Sequence, residues 1–62
     1  MKETYKVLIQ FLGESNYHEY MHGLTEDAAY CVGMAILRVE PEIIDVKITK
    51  EPTLADILRK VL

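Results

Sequence analysis

The sequence predicts an α+β domain in which two strands, a helix and a third strand (β-β-α-β) are followed by a short C-terminal helix. Three observations carry the prediction. Tyr5 to Leu12, about Tyr17 to His22, and Ile43 to Thr49 alternate in character and are rich in β-branched or aromatic residues. Glu26 to Leu37 is an acidic first turn followed by a run without charge, long enough for about three helical turns. Breaker residues fall between these segments, at Gly13, Gly23 and Pro41.

The first strand places Tyr5, Val7, Ile9 and Phe11 on one wholly apolar face, which should meet the core. Leu8 and Leu12 on its other face are more hydrophobic than water-facing positions usually are, a first sign of an interface. Gly13 to Asn16 has the composition and length of a hairpin turn. The return strand sets Tyr17, Glu19 and Met21 on one side and His18, Tyr20 and His22 on the other; pattern alone leaves open which side is inside. Gly23 ends that strand and supplies a backbone conformation that a Cβ would resist.

Thr25 is a good N-cap, and Glu26 and Asp27 sit where the helix dipole favours negative charge. Leu24, Ala28, Cys31, Val32 and Ala35 form one stripe, while Ala29 and Gly33 form a low-relief strip flanked by Tyr30 and Met34. Gly33 should weaken a helix interior by ~1 kcal/mol relative to Ala. Its presence points to a close backbone approach, either of the domain's own sheet or of a twofold-related helix.

Glu40-Pro41-Glu42 ends the helix, because proline restricts the residue before it and cannot continue the ladder. The third strand should turn Ile44, Val46 and Ile48 inward and Asp45, Lys47 and Thr49 outward. A helix between the second and third strands permits either a parallel crossover or an antiparallel return. Thr53 with Asp56 resembles a capping box that starts the last helix, Thr53 to Leu62. Leu54, Ile57, Leu58 and Val61 make its apolar stripe, and Arg59 and Lys60 lie near its C-terminus where the dipole favours them. Its expected use is to enlarge a core that is marginal for so short a chain.

Sixty-two residues make a single domain, 1–62, and Cys31 is the only cysteine, so no disulfide can form within the chain. Cys31 lies in an apolar run and reads as a buried small hydrophobe. The start of the chain has no basic, apolar and small-residue pattern of a secretory leader. The longest uncharged stretch, Ala28 to Leu37, is ten residues, too short to cross a bilayer. The expectation is a soluble cytoplasmic protein with no membrane partner.

The net charge of -3 is unevenly spread. From Glu14 to Asp45 there are seven acids against the one base Arg38, and the compensating lysines and arginine lie towards the two ends. Phosphate-backbone affinity needs clustered Lys and Arg, so this acidic middle argues against nucleic-acid binding and suits a basic partner surface.

Catalytic and metal chemistry find little support. On a strand, His18 and His22 stand ~13 Å apart and make a poor metal site with a buried Cys31. Cys31 has no positioned base, and the isolated Gly13, Gly23 and Gly33 form no phosphate loop. The chain reads as a non-enzyme without a cofactor. The tyrosines and carboxylates around the helix stand out instead, since tyrosine is a common interface anchor. Carboxylates beside such anchors can take the places that phosphates would occupy on a DNA-binding partner.

Tyr17-His18-Glu19-Tyr20, Gly23-Leu24-Thr25 and Ile43-Ile44 carry a resemblance. Over roughly Tyr5 to Lys50 the chain resembles the small uracil-DNA glycosylase inhibitors of phages that infect Bacillus, and the terminal helix is additional to that pattern. The resemblance implies a three-stranded antiparallel sheet crossed by one helix, a homodimer, and imitation of DNA. In that family an apolar cavity between the two helices encloses the leucine that the glycosylase inserts into the duplex, and flanking carboxylates meet its phosphate-binding residues.

The candidate partner-binding set is Glu19, Tyr20, Glu26, Asp27, Ala29, Tyr30, Gly33 and Met34. The resemblance carries over Glu19, Tyr20, Ala29 and Gly33, and the tyrosines, carboxylates and methionine around the helix add Glu26, Asp27, Tyr30 and Met34. The sequence also departs from the family. Its cavity phenylalanine falls on Ala29, its second helical aromatic on Gly33, and its following glutamate on Tyr30. Either the register moves by one, so that Tyr30 and Met34 line the cavity, or the helices approach more closely over Ala29 and Gly33. The implied role is phage-encoded inhibition of base excision repair. A small dimeric regulator or adaptor for another host protein is the alternative.

Overall fold

The computed structural model describes residues 3–61. They form β1 (Tyr5–Phe11), β2 (His18–Leu24), α1 (Glu26–Val39), β3 (Ile43–Lys50) and α2 (Leu54–Val61). The side chain of Val61 and the whole of Leu62 fall outside the described residues. The sheet order is β2-β1-β3, and β1 is antiparallel to both neighbours. Of the two directions the sequence allowed, β3 therefore takes the antiparallel return.

The central position of β1 follows from its apolar face. Val7 is fully buried, Ile9 nearly so, and Tyr5 and Phe11 close the ends of the row. α1 lies across this face, and the core is the narrow layer where Val7, Ile9 and Ile43 meet Ala29. Leu24, Val32, Ile36, Val46 and Ile48 pack around it, half-buried.

The hairpin closes where the Glu14 N–H donates to the Phe11 carbonyl at 3.1 Å. Beyond it, β2 departs from simple alternation. Ile9 pairs with His18 and Leu8 with Glu19, but Val7 pairs with Met21 and Tyr5 with Leu24, so the ladder shifts twice. A β-bulge adds a residue to one strand and reverses the faces beyond it. His18 and Met21 thus share the helix side, and Glu19 lies with Leu8 on the other. The predicted division into odd and even residues does not hold along this strand. Nor does Gly23 end it: Gly23 has φ +70°, a conformation that L side chains resist, and the strand runs on to Leu24. Its N–H donates to Glu51 Oε1 at 2.6 Å.

α1 begins as expected, with Thr25 Oγ1 accepting from the Ala28 N–H at 3.2 Å. It continues past Leu37 to Val39 and stops at Glu40, directly before Pro41. The buried face differs from the predicted stripe. Ala29 and Gly33 occupy its centre, flanked by Val32 and Ile36, while Cys31 and Ala35 are exposed. Cys31 is accordingly not the buried hydrophobe its apolar neighbours implied.

A bulge also governs β3. Phe11 pairs with Ile43 and Gln10 with Asp45, which leaves Ile44 as the extra residue. Ile43 goes into the core and Ile44 is exposed, the reverse of the expected order; Val46 and Ile48 face inward as expected.

Thr53 and Asp56 form the predicted capping box: the Thr53 N–H donates to Asp56 Oδ2 at 3.0 Å, and the Asp56 N–H donates to Thr53 Oγ1 at 3.2 Å. The helix they start does not enlarge the core. α2 packs on no other element of the described chain, and Leu54, Ile57 and Leu58 are exposed.

Candidate protein interface

α1 can cover the sheet with one face only, and its first-turn acids are followed by no charge until Arg38. The remaining faces are therefore apolar and exposed. Tyr30, Met34 and Leu37 stand in a row three and four residues apart, which puts them on one side of the helix. Tyr30 and Met34 are each more than half exposed, at 56% and 57%. With Gly33, Val46 and Ile48 they line a shallow apolar groove between α1 and β3.

The other flank of α1 forms a second groove. Val32, Ala35, Ile36 and Val39 face Tyr20 and Met21 of β2, and Glu40 lies at the end of the groove. Tyr20 and Met21 are neighbours in sequence and reach the same groove beside the bulge. That convergence was missed by strict alternation, and nothing in the local residues marks a bulge there.

Of the residues the sequence singled out, Tyr30 and Met34 come together on the exposed row, with Asp27 and Glu26 one turn before them. Tyr20 belongs to the opposite groove. Ala29 and Gly33 are buried against the domain's own sheet. A Cβ on Gly33 would stand 3.0 Å from Val46 Cγ1 and 3.2 Å from Ile48 Cδ1, so the close approach this glycine permits is to β3. Glu19 is exposed but lies on the sheet face away from α1, separated from Glu26 and Asp27.

That far face has its own polar arrangement. The Tyr17 hydroxyl donates to Asp45, and Lys47 Nζ lies 4.5 Å from the centre of the Tyr17 ring. The hydrogen bond to Asp45, followed by burial, pushes the Tyr17 phenol above its ordinary value. On the helix side, burial and then the neighbouring Glu26 carboxylate raise Tyr5 in the same way. His18 bonds to Glu14 and its ring leans on Phe11, at 5.6 Å between centroids. Among the described residues, no three His, Cys, Asp or Glu side chains are grouped as metal ligands, and no helix is long and apolar enough to cross a membrane.

Fold and surface together define a small α+β domain with an unpartnered apolar helix face. Comparison with protein-family models, with curated proteins and with solved structures found no significant match.

Proposed function

We propose that the chain is a protein-binding inhibitor that pairs with a second copy through α1 and blocks uracil-DNA glycosylase by imitating DNA. The observation that carries the reading is the exposed Tyr30–Met34–Leu37 row beside the carboxylates of Glu26 and Asp27. A duplex offers such an enzyme apolar bases behind a line of negative charge, and this face offers apolar side chains behind two carboxylates. Of the two registers the family resemblance allows, the one with Tyr30 and Met34 lining the cavity fits better, because Ala29 and Gly33 are taken up by the sheet.

The test is the glycosylase acting on a uracil-containing duplex while the protein is titrated in. Inhibition is expected, and Tyr30→Ala should weaken it by at least tenfold, the loss of one well-packed aromatic anchor. Full enzyme activity at a clear excess of the protein would end this reading. Glu19→Gln reports on the geometry separately: inhibition unchanged by it means that the far face of the sheet takes no part.

The position of Glu19 favours a second reading. A ring of carboxylates around the cavity would need Glu19 beside Glu26, and the register places it elsewhere. A dimeric adaptor that binds another protein through the same apolar row has no such requirement. A protein that dimerises but leaves the glycosylase untouched is the result that selects it.

A further inference from the structure

The surface that the inhibitor reading leaves unused is α2. Its joint with the sheet has little slack. The Glu51 N–H donates to the Thr4 carbonyl at 2.8 Å, which continues the β1–β3 ladder, and Thr53 is already locked in the capping box. Only Pro52 lies between, with its φ fixed by the ring. The polar side of α2, with Asp56, Arg59 and Lys60, is turned towards Lys50, Glu51 and Pro52. Leu54, Ile57 and Leu58 therefore point away from the domain that carries them.

We propose that α2 is an exchange arm, which seats its apolar side in the Tyr20–Met21–Val39 groove of a second copy while receiving that copy's arm in return. Both surfaces are apolar, exposed and, among the described residues, unpartnered. Their lengths agree: the eight residues of α2 and the eight residues of the α1 wall from Val32 to Val39 each span about 12 Å. Their charges are complementary at one end, since Lys60, three residues after Ile57, borders the arm's apolar side and the groove ends at Glu40. The groove on the β3 side holds the Tyr30–Met34–Leu37 row that the inhibitor reading uses, which leaves the groove on the β2 side for the arm. Reciprocal exchange closes on itself and leaves neither apolar surface open.

Cross-chain disulfide trapping tests the arrangement in the full chain. Two proteins are made, Cys31→Ser with Val39→Cys and Cys31→Ser with Leu58→Cys, mixed and oxidised. The expected product is the mixed disulfide between them. Leu58→Cys linked chiefly to itself would mean that arms pair with arms, and linkage to Leu37→Cys in place of Val39→Cys would move the arm to the other groove; either overturns the proposal. Sedimentation of Ile57→Asp should show association weakened at least tenfold with an unchanged far-ultraviolet spectrum from the sheet and α1, because α2 packs on neither. Glu40→Lys and Lys60→Glu should each weaken association, and the two together should restore it. An arm that leaves the mass unchanged but binds vesicles of neutral and anionic phospholipid would be a membrane-surface helix, and the proposal would fall. Arm and inhibitor reading fail separately, since one is read by trapping and the other by enzyme inhibition.

Discussion

At the residue scale, Gly33 shows how a weak helix position is explained by what faces it. Glycine costs an α-helix interior about 1 kcal/mol relative to alanine. Gly33→Ala would recover that amount if the site were open. The added methyl would instead meet Val46 Cγ1 at 3.0 Å and Ile48 Cδ1 at 3.2 Å. Ile48 can swing its terminal carbon aside, but Val46 is β-branched and stiff at χ1. Forcing extra volume into a packed layer costs about 1–3 kcal/mol, so the strain outweighs the helical gain. Gly33→Ala is expected to lower stability by about 1 kcal/mol in urea denaturation. A raised midpoint would mean that the sheet yields and that the glycine answers to another partner.

At the scale of elements, strands and helices were legible where each segment's own residues decide them. The apolar row of β1, the Thr25 cap, the acidic first turn of α1 and the Thr53–Asp56 capping box all appear as read. Faces were legible only as far as the first bulge. Inserted residues in β2, one near Tyr20 and one between Met21 and Leu24, and another at Ile44 in β3 each reverse inside and outside, and all depend on pairing with β1 rather than on local composition. The same limit hid the state of α2, whose amphipathic pattern gives no distance from the sheet. With eight residues and no packing on another element among the described residues, α2 depends on its cap. Hydrogen bonds from the Thr53 backbone and then its hydroxyl hold the Asp56 carboxyl below its ordinary 3.8. A depressed folded value means that the stabilisation is present above the unfolded value and is lost as pH falls through the folded one. α2 should therefore fray below about pH 3.8, ahead of α1. Residue-resolved carbon chemical shifts across an acid titration check this, and Asp56→Asn should remove the pH dependence. Equal loss in both helices would contradict it.

At the scale of the whole molecule, the sheet has one covered face, and its single covering helix carries more apolar surface than the sheet can take up. That excess was visible in the uncharged run after Asp27, whereas its direction was not, because only the burial of Ala29 and Gly33 shows which side remains outside. The outer side has a defined charge pattern. Asp27 and Arg38 are eleven residues apart, three turns and about 16 Å, and so lie on nearly one line of the helix. If two α1 helices pair as proposed, an antiparallel arrangement about a twofold axis would bring each Asp27 to the Arg38 of the partner subunit and leave Glu26 as the carboxylate open to the enzyme. It would also set Tyr30 against the partner's Ala35 and Met34 against the partner's Cys31, large side chains against small. Helix dipoles are opposed in the same arrangement. Asp27→Arg or Arg38→Asp alone places like charges together twice in each pair, and either should weaken self-association at least tenfold in sedimentation at low salt. The double variant restores complementary charge at both ends and should recover most of the wild-type association, with the difference shrinking as salt screens the pairs. Single variants that sediment like the wild type would show that the α1 faces do not meet in this register.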